Sequence, residues 1–135
     1  MTLEGEINDI NFSNCYLCIA STKISMESNL YILQSETPIV DLGGGVSRQI
    51  LGYNKDIMMV KVIFTQGAIG AMHTHPHSQT TYCAAGSFDF TIGEVSRTIK
   101  VGDATYIPQG MLHGVVCLEE GVLIDTFNPA REDFL

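Results

Sequence analysis

The stretch that most constrains the fold is Gly67–Gly86, GAIGAMHTHPHSQTTYCAAG. In it His73 and His75 stand two residues apart, and Gln79 follows four further on. In an extended strand residues i and i+2 point to the same face, so two imidazoles at this spacing converge on one point. A second Gly- and Pro-punctuated segment, Gly102–His113 (GDATYIPQGMLH), carries another imidazole. The pattern predicts a metal ion held between strands, with the rest of the chain serving as its scaffold or its mouth.

The scaffold reads as β throughout. Ile57–Thr65 (IMMVKVIFT) alternates so that Val60, Val62 and Phe64 share a face, and Ser87–Ile92 sets Phe88, Phe90 and Ile92 against Ser87, Asp89 and Thr91. Further strands are expected at Leu30–Leu33, Thr37–Leu42, Val46–Leu51, Val95–Val101, Ala104–Ile107, Leu112–Leu118 and Val122–Phe127. Turns are expected at Gly43-Gly44-Gly45, at Gly52–Asp56, at Gly93-Glu94 and at Gly102-Asp103, with Glu119-Glu120-Gly121 as the last hairpin. One helical turn is expected after Pro129. No sustained helical period is present, and 135 residues with 45% apolar composition suit one all-β domain. Residues 26–135 form the expected domain. Residues 1–25 are polar and irregular, and read either as an arm that adds a strand to a sheet or partner, or as residues preceding a true start at Met26.

Fifteen acidic residues against seven basic ones give a net charge of −8. A protein that tracks a nucleic-acid backbone needs the opposite sign, so that class is set aside. An anionic ligand would need a local positive site. Cys15, Cys18, Cys83 and Cys117 lack a disulfide-framework spacing, and the apolar run near Tyr16 is too short to span a membrane. The expectation is a cytoplasmic protein with thiol cysteines. Cys15-x-x-Cys18 reads as chance spacing rather than as half of a redox or zinc motif.

Both His-bearing segments resemble the cupins. The first cupin motif is matched by Gly67, five residues, His73-Thr74-His75, three residues, Gln79, six residues, Gly86. The second is matched by Gly102, Pro108, Gly110 and His113, with Cys117 where cupins carry Asn. The resemblance implies a cupin-type jelly-roll barrel, the double-stranded β-helix, with His73, His75, Gln79 and His113 as metal ligands in its mouth. Gln79 stands where most cupins have Glu. Three neutral imidazoles and a neutral amide leave the charge of a divalent ion uncompensated, which strengthens it as a Lewis acid. Zn, Ni, Mn and Fe all suit such a set. Cys117 and Cys83 read as packed core residues, and His77 as a rim residue.

Asp125 and Phe127 share a face of the final strand, and an inward Asp in VLIDTF demands a reason. It is either a strand-end cap or a general acid/base beside the metal. Arg131 and Arg48 are candidates to clamp a carboxylate, since Arg suits planar bidentate pairing, although each alone also reads as a surface residue.

The run HTHPHSQ, with GGGVSRQIL, MMVKV and DTFNPAREDFL, is similar to the small cupins of pectin and alginate breakdown, the pectin degradation proteins. The similarity extends from about residue 30 to the end. In that family Gln occupies the fourth ligand position, and residues equivalent to Asp125, Phe127 and Arg131 lie at the active site. Ser78 departs from the Glu common there. The resemblance implies a metal-dependent enzyme that converts 4,5-unsaturated monouronates to linear ketonised sugars. Arg48, Arg131 and Phe127 would contact a small anionic sugar, and the protein would be a homodimer. Two other outcomes fit the motifs: another metal-dependent cupin enzyme, such as a dioxygenase or sugar isomerase, and a non-catalytic sugar-binding cupin.

Overall fold

Alternating apolar and polar residues become eight strands in a computed structural model that describes residues 26–135. They are β1 (Val40–Gly43), β2 (Val46–Tyr53), β3 (Met58–Phe64), β4 (Ile69–His73), β5 (Ser78–Ile92), β6 (Val95–Lys100), β7 (Ala104–Ile107) and β8 (His113–Asn128). Short 3-10 turns occupy Gln34–Glu36 and Glu132–Phe134, the latter where a helical turn was expected. Among the described residues there is no α-helix, and so no helix able to cross a membrane. Residues 1–25, with the expected arm and Cys15-x-x-Cys18, lie outside the described residues.

Two long antiparallel strands, β5 and β8, organise the fold. Their pairing runs from Ser78↔Asn128 to Ile92↔His113 and is broken by register shifts around Ala85 and Ser87. On one side of that break, β8 pairs with β3 and β5 pairs with β7; on the other, β8 pairs with β4 and β5 with β6. Each long strand therefore serves two sheets, and β2 and β1 extend the first. The turn expected at Glu119-Glu120-Gly121 is not formed: Leu112–Leu118 and Val122–Phe127 belong to one continuous strand. Its Gly there accommodates a close crossing instead. A Cβ on Gly121 would lie 2.2 Å from the Ala85 carbonyl oxygen, and one on Gly86 (φ +74°) would lie 2.4 Å from that of Glu120.

Facing residues of the two sheets fill the core. Phe64, Cys83, Ile107 and Leu123 come from the first sheet and Phe88, Phe90, Ile99 and Cys117 from the second, all buried in one cluster. Phe64 and Phe88 meet edge-on at 5.3 Å between centroids. Cys83 and Cys117 are thus thiols of the core, and burial pushes both thiol pKa values up. Leu30–Leu33 is not a strand, and Leu30 and Tyr31 are 91% and 84% exposed. With no cross-strand partner, the residues after it instead lie over β2, where Gln49 Nε2 donates to the carbonyls of Thr37 (2.7 Å) and Gln34 (3.2 Å). Burying Gln49 is possible because that backbone supplies its acceptors.

Candidate metal centre

The fold brings three imidazoles together from two sheets' ends. His73 ends β4 and is paired directly with His113, the first residue of β8, while His75 lies in the link between β4 and β5. Their nearest ring nitrogens all fall within 4.8 Å of one another. Ring centroids are 4.3 Å apart for His73 and His113 and 4.9 Å for His75 and His113. Backbone carbonyls fix two of the tautomers. His73 Nδ1 donates to Ala71 O and His113 Nδ1 to Met111 O, each at 2.8 Å, which leaves both Nε2 atoms with a lone pair.

A metal ion fits these donors. His113 Nε2, the nitrogen left with a lone pair, is buried with no hydrogen-bond partner. A buried lone pair without a partner costs about 1–3 kcal/mol, which ligation would offset. His75 Nε2 donates to Gln79 Oε1 at 2.9 Å, so the imidazole edge and the amide oxygen face each other, and an ion shared by both would replace the proton between them. Burial, only partly opposed by the Gln79 hydrogen bond, lowers His75 to about 4, and burial lowers His113 too. Neutral imidazoles are the ligating form.

From Gln79 a hydrogen-bond chain runs across the barrel. Gln79 Nε2 donates to Thr81 Oγ1 (2.9 Å), and Thr81 Oγ1 donates to Asp125 Oδ1 (2.6 Å). Strand pairing dictates this: Gln79 and Thr81 share a face of β5, and Thr81 is the cross-strand partner of Asp125 on β8. Burial raises the Asp125 carboxyl to about 6, against the lowering effect of the Thr81 and Gln79 hydrogen bonds. Asp125 is therefore held inside the site rather than serving as a strand-end cap.

His73, Gln79, His113, Asp125, Phe127, Arg131 and Phe134 line one cavity of about 160 Å³. Phe127 packs edge-on against His75 at 5.6 Å. The Arg131 guanidinium lies 5.4 Å from the Phe127 centroid and 4.1 Å from that of Phe134, and pairs with Asp133 through Nε (2.9 Å) and Nη2 (2.8 Å). Arg48 does not line the cavity directly. It stacks 3.8 Å from the Phe134 centroid, with its Nε buried and unpartnered. His77 is half-buried beside Phe127 and stands outside the imidazole trio.

Two residues of the site escaped the sequence reading. Thr81 shares strand parity with Gln79, but parity alone does not mark it out. Phe134 carried no signal, because it lies past the last strand on a turn whose direction periodicity does not give.

A jelly-roll barrel with three imidazoles and an amide oxygen converging at one end defines a class of protein, the small β-barrels with a metal-type site in the mouth. Residues 60–127 match the model of the cupin domain family. The chain is 50% identical over 107 residues to the pectin degradation protein KdgF of Dickeya dadantii, covering 78% of this chain and 97% of that one. Among solved structures it is similar to an RmlC-like cupin from Shewanella frigidimarina (TM-score 0.80, 43% identity, 82% of this chain and 99% of that one). It is similar also to KdgF from Halomonas sp. (TM-score 0.76, 34% identity, 80% of this chain and 100% of that one). The chain belongs to the cupins, and within them to the family of the pectin degradation protein KdgF.

Proposed function

We propose that the protein is a metal-dependent enzyme that linearises 4,5-unsaturated monouronates, the sugars released when lyases cut pectin or alginate. The observation that carries this reading is the position of Asp125. It lines the same cavity as His73 and His113, and through Thr81 it is tied to Gln79. The kinship with pectin degradation proteins supports a uronate as the substrate.

His73, His75, Gln79 and His113 would hold a divalent ion, which when bound would supply electrophilic polarisation of a sugar oxygen. Asp125, with a pKa of about 6, passes between acid and base near neutral pH. As acid it gives a proton to the 4-carbon of the enol ether while the oxygen of a water joins the 5-carbon. As base it takes one proton of that water; the bond from the 5-carbon to the ring oxygen breaks as the water's other proton passes to the ring oxygen, so Asp125 ends protonated as it began. A ketone is left in an open chain. Arg131 holds the sugar carboxylate, with Arg48 adding positive charge beside it. Phe127 packs against the sugar face.

The test is decay of the ultraviolet absorbance of an unsaturated uronate in the presence of purified protein. Asp125→Asn keeps the acceptor for Thr81 and is expected to lower the rate about 10²- to 10⁴-fold with metal content unchanged. Undiminished turnover in that variant removes Asp125 from the chemistry.

A further inference from the structure

We infer that Thr81 is a positioning residue that decides which end of the Gln79 amide faces the imidazoles. The inference rests on the reading of the imidazole cluster as a metal site. A Glu in the fourth position presents an oxygen whichever way it turns. A Gln does not, since one of its two ends is an NH₂ that repels a cation and can only donate. Something must hold the amide oxygen toward the site.

The hydrogen-bond chain does so. A hydroxyl has a single proton, and that of Thr81 goes to Asp125 Oδ1 at 2.6 Å. Thr81 Oγ1 is then left with lone pairs only, and it accepts from Gln79 Nε2 at 2.9 Å. With Nε2 committed to Thr81, Oε1 must point the other way, where it lies 2.9 Å from His75 Nε2. Thr81 is 1% exposed and Gln79 5% exposed, so bulk water has little access to either group. The polarity of the whole chain, from Asp125 back to the imidazoles, is set by one proton on a residue outside both the imidazole cluster and the cavity lining.

The experiment measures affinity for Zn²⁺ and Ni²⁺ added alone to metal-free protein, by chelator competition. Thr81→Val keeps the shape and removes the hydroxyl, and is expected to weaken binding roughly 10- to 100-fold, while Thr81→Ser stays within about threefold of wild type. The same Thr81→Val change placed on Gln79→Glu protein is expected to cost less than about threefold, because a carboxylate has no wrong end. Equal losses in the two backgrounds would assign Thr81 a general packing role and overturn the inference, as would wild-type affinity in Thr81→Val. A second readout needs neither metal nor a mutant. Nuclear Overhauser contacts from the Gln79 amide protons in the metal-free protein should run to Thr81; contacts to the His75 and His113 rings instead would overturn the inference. If wild-type protein takes up no divalent ion, the metal reading falls, and those amide contacts still decide the orientation.

Discussion

Asp125 and His75 are the two ends of the hydrogen-bond chain through Gln79 and Thr81, and burial moves their pKa values in opposite directions. Their effects on stability oppose each other as well. With Asp125 raised to about 6, the folded protein holds a proton between roughly pH 4 and 6 that the unfolded chain releases, so its contribution falls as pH rises through that window. With His75 lowered to about 4, the unfolded chain takes a proton between about pH 6.5 and 4 that the folded protein refuses, so its contribution falls as pH drops. In metal-free wild-type protein the two slopes largely cancel. Asp125→Asn removes one of them, and its denaturant-derived stability is expected to fall by ~1–3 kcal/mol between pH 6.5 and pH 4. At pH 7 the same variant is expected to be more stable than wild type; a less stable variant would mean that the carboxylate is not penalised by burial. At this scale the sequence was informative wherever strand parity applied. Asp125 with Phe127 was legible as a face-sharing pair on β8, whereas His73 and His75 converge although only His73 lies in a strand. Thr81 obeyed the same parity, but an uncharged hydroxyl in a β-rich stretch gives no reason to be singled out.

Elements were legible in type, less so in extent. The turn signal of Glu119-Glu120-Gly121 is real chemistry read at the wrong scale, because a bulge in a continuing strand and a hairpin draw on the same residues. What separates them is whether a partner strand continues alongside, and β5 does so at Gly86. That glycine has a positive φ, and a Cβ there would lie 2.4–2.7 Å from the backbone of Glu119, Glu120 and Gly121. Gly86→Ala is therefore expected to cost at least about 2 kcal/mol in a denaturant melt, far more than a loop glycine. A near-neutral result would show that the two strands part easily at the crossing. The C-terminal turn was expected, but not its purpose. Phe134 carries Arg48 at 3.8 Å and Arg131 at 4.1 Å from its centroid, and Asp133 grips Arg131 at its Nε edge, which leaves Nη1 uncommitted by that pair. Phe134→Leu keeps an apolar filling but loses the ring quadrupole, and is expected to raise KM for a uronate roughly 2- to 30-fold with kcat and metal content little changed. Equal effects on a uronate and on its uncharged methyl ester would deny the turn a role in holding charge.

Across the whole molecule, a net charge of −8 surrounds a site that we propose takes an anion, and two arginines at its edge would have to overcome that field locally. The barrel makes this possible by gathering distant parts of the chain: His73 and His113 from one sheet's end, Gln79 and Asp125 from the facing sheet, and Arg131 from the turn after β8. Motif spacing disclosed the imidazole cluster, since glycines and histidines recur at fixed intervals. It could not disclose the register breaks between β5 and β8, or that the cluster and Asp125 meet at one cavity. The central claim is that this arrangement turns over an unsaturated uronate and does not merely bind it. The most direct measurement follows the ultraviolet absorbance of unsaturated galacturonate with purified, metal-loaded protein, before and after removal of the metal by a chelator. The account predicts steady loss of the chromophore that stops on chelation and resumes when a divalent ion is restored. Saturable binding of the sugar with the chromophore intact would contradict it.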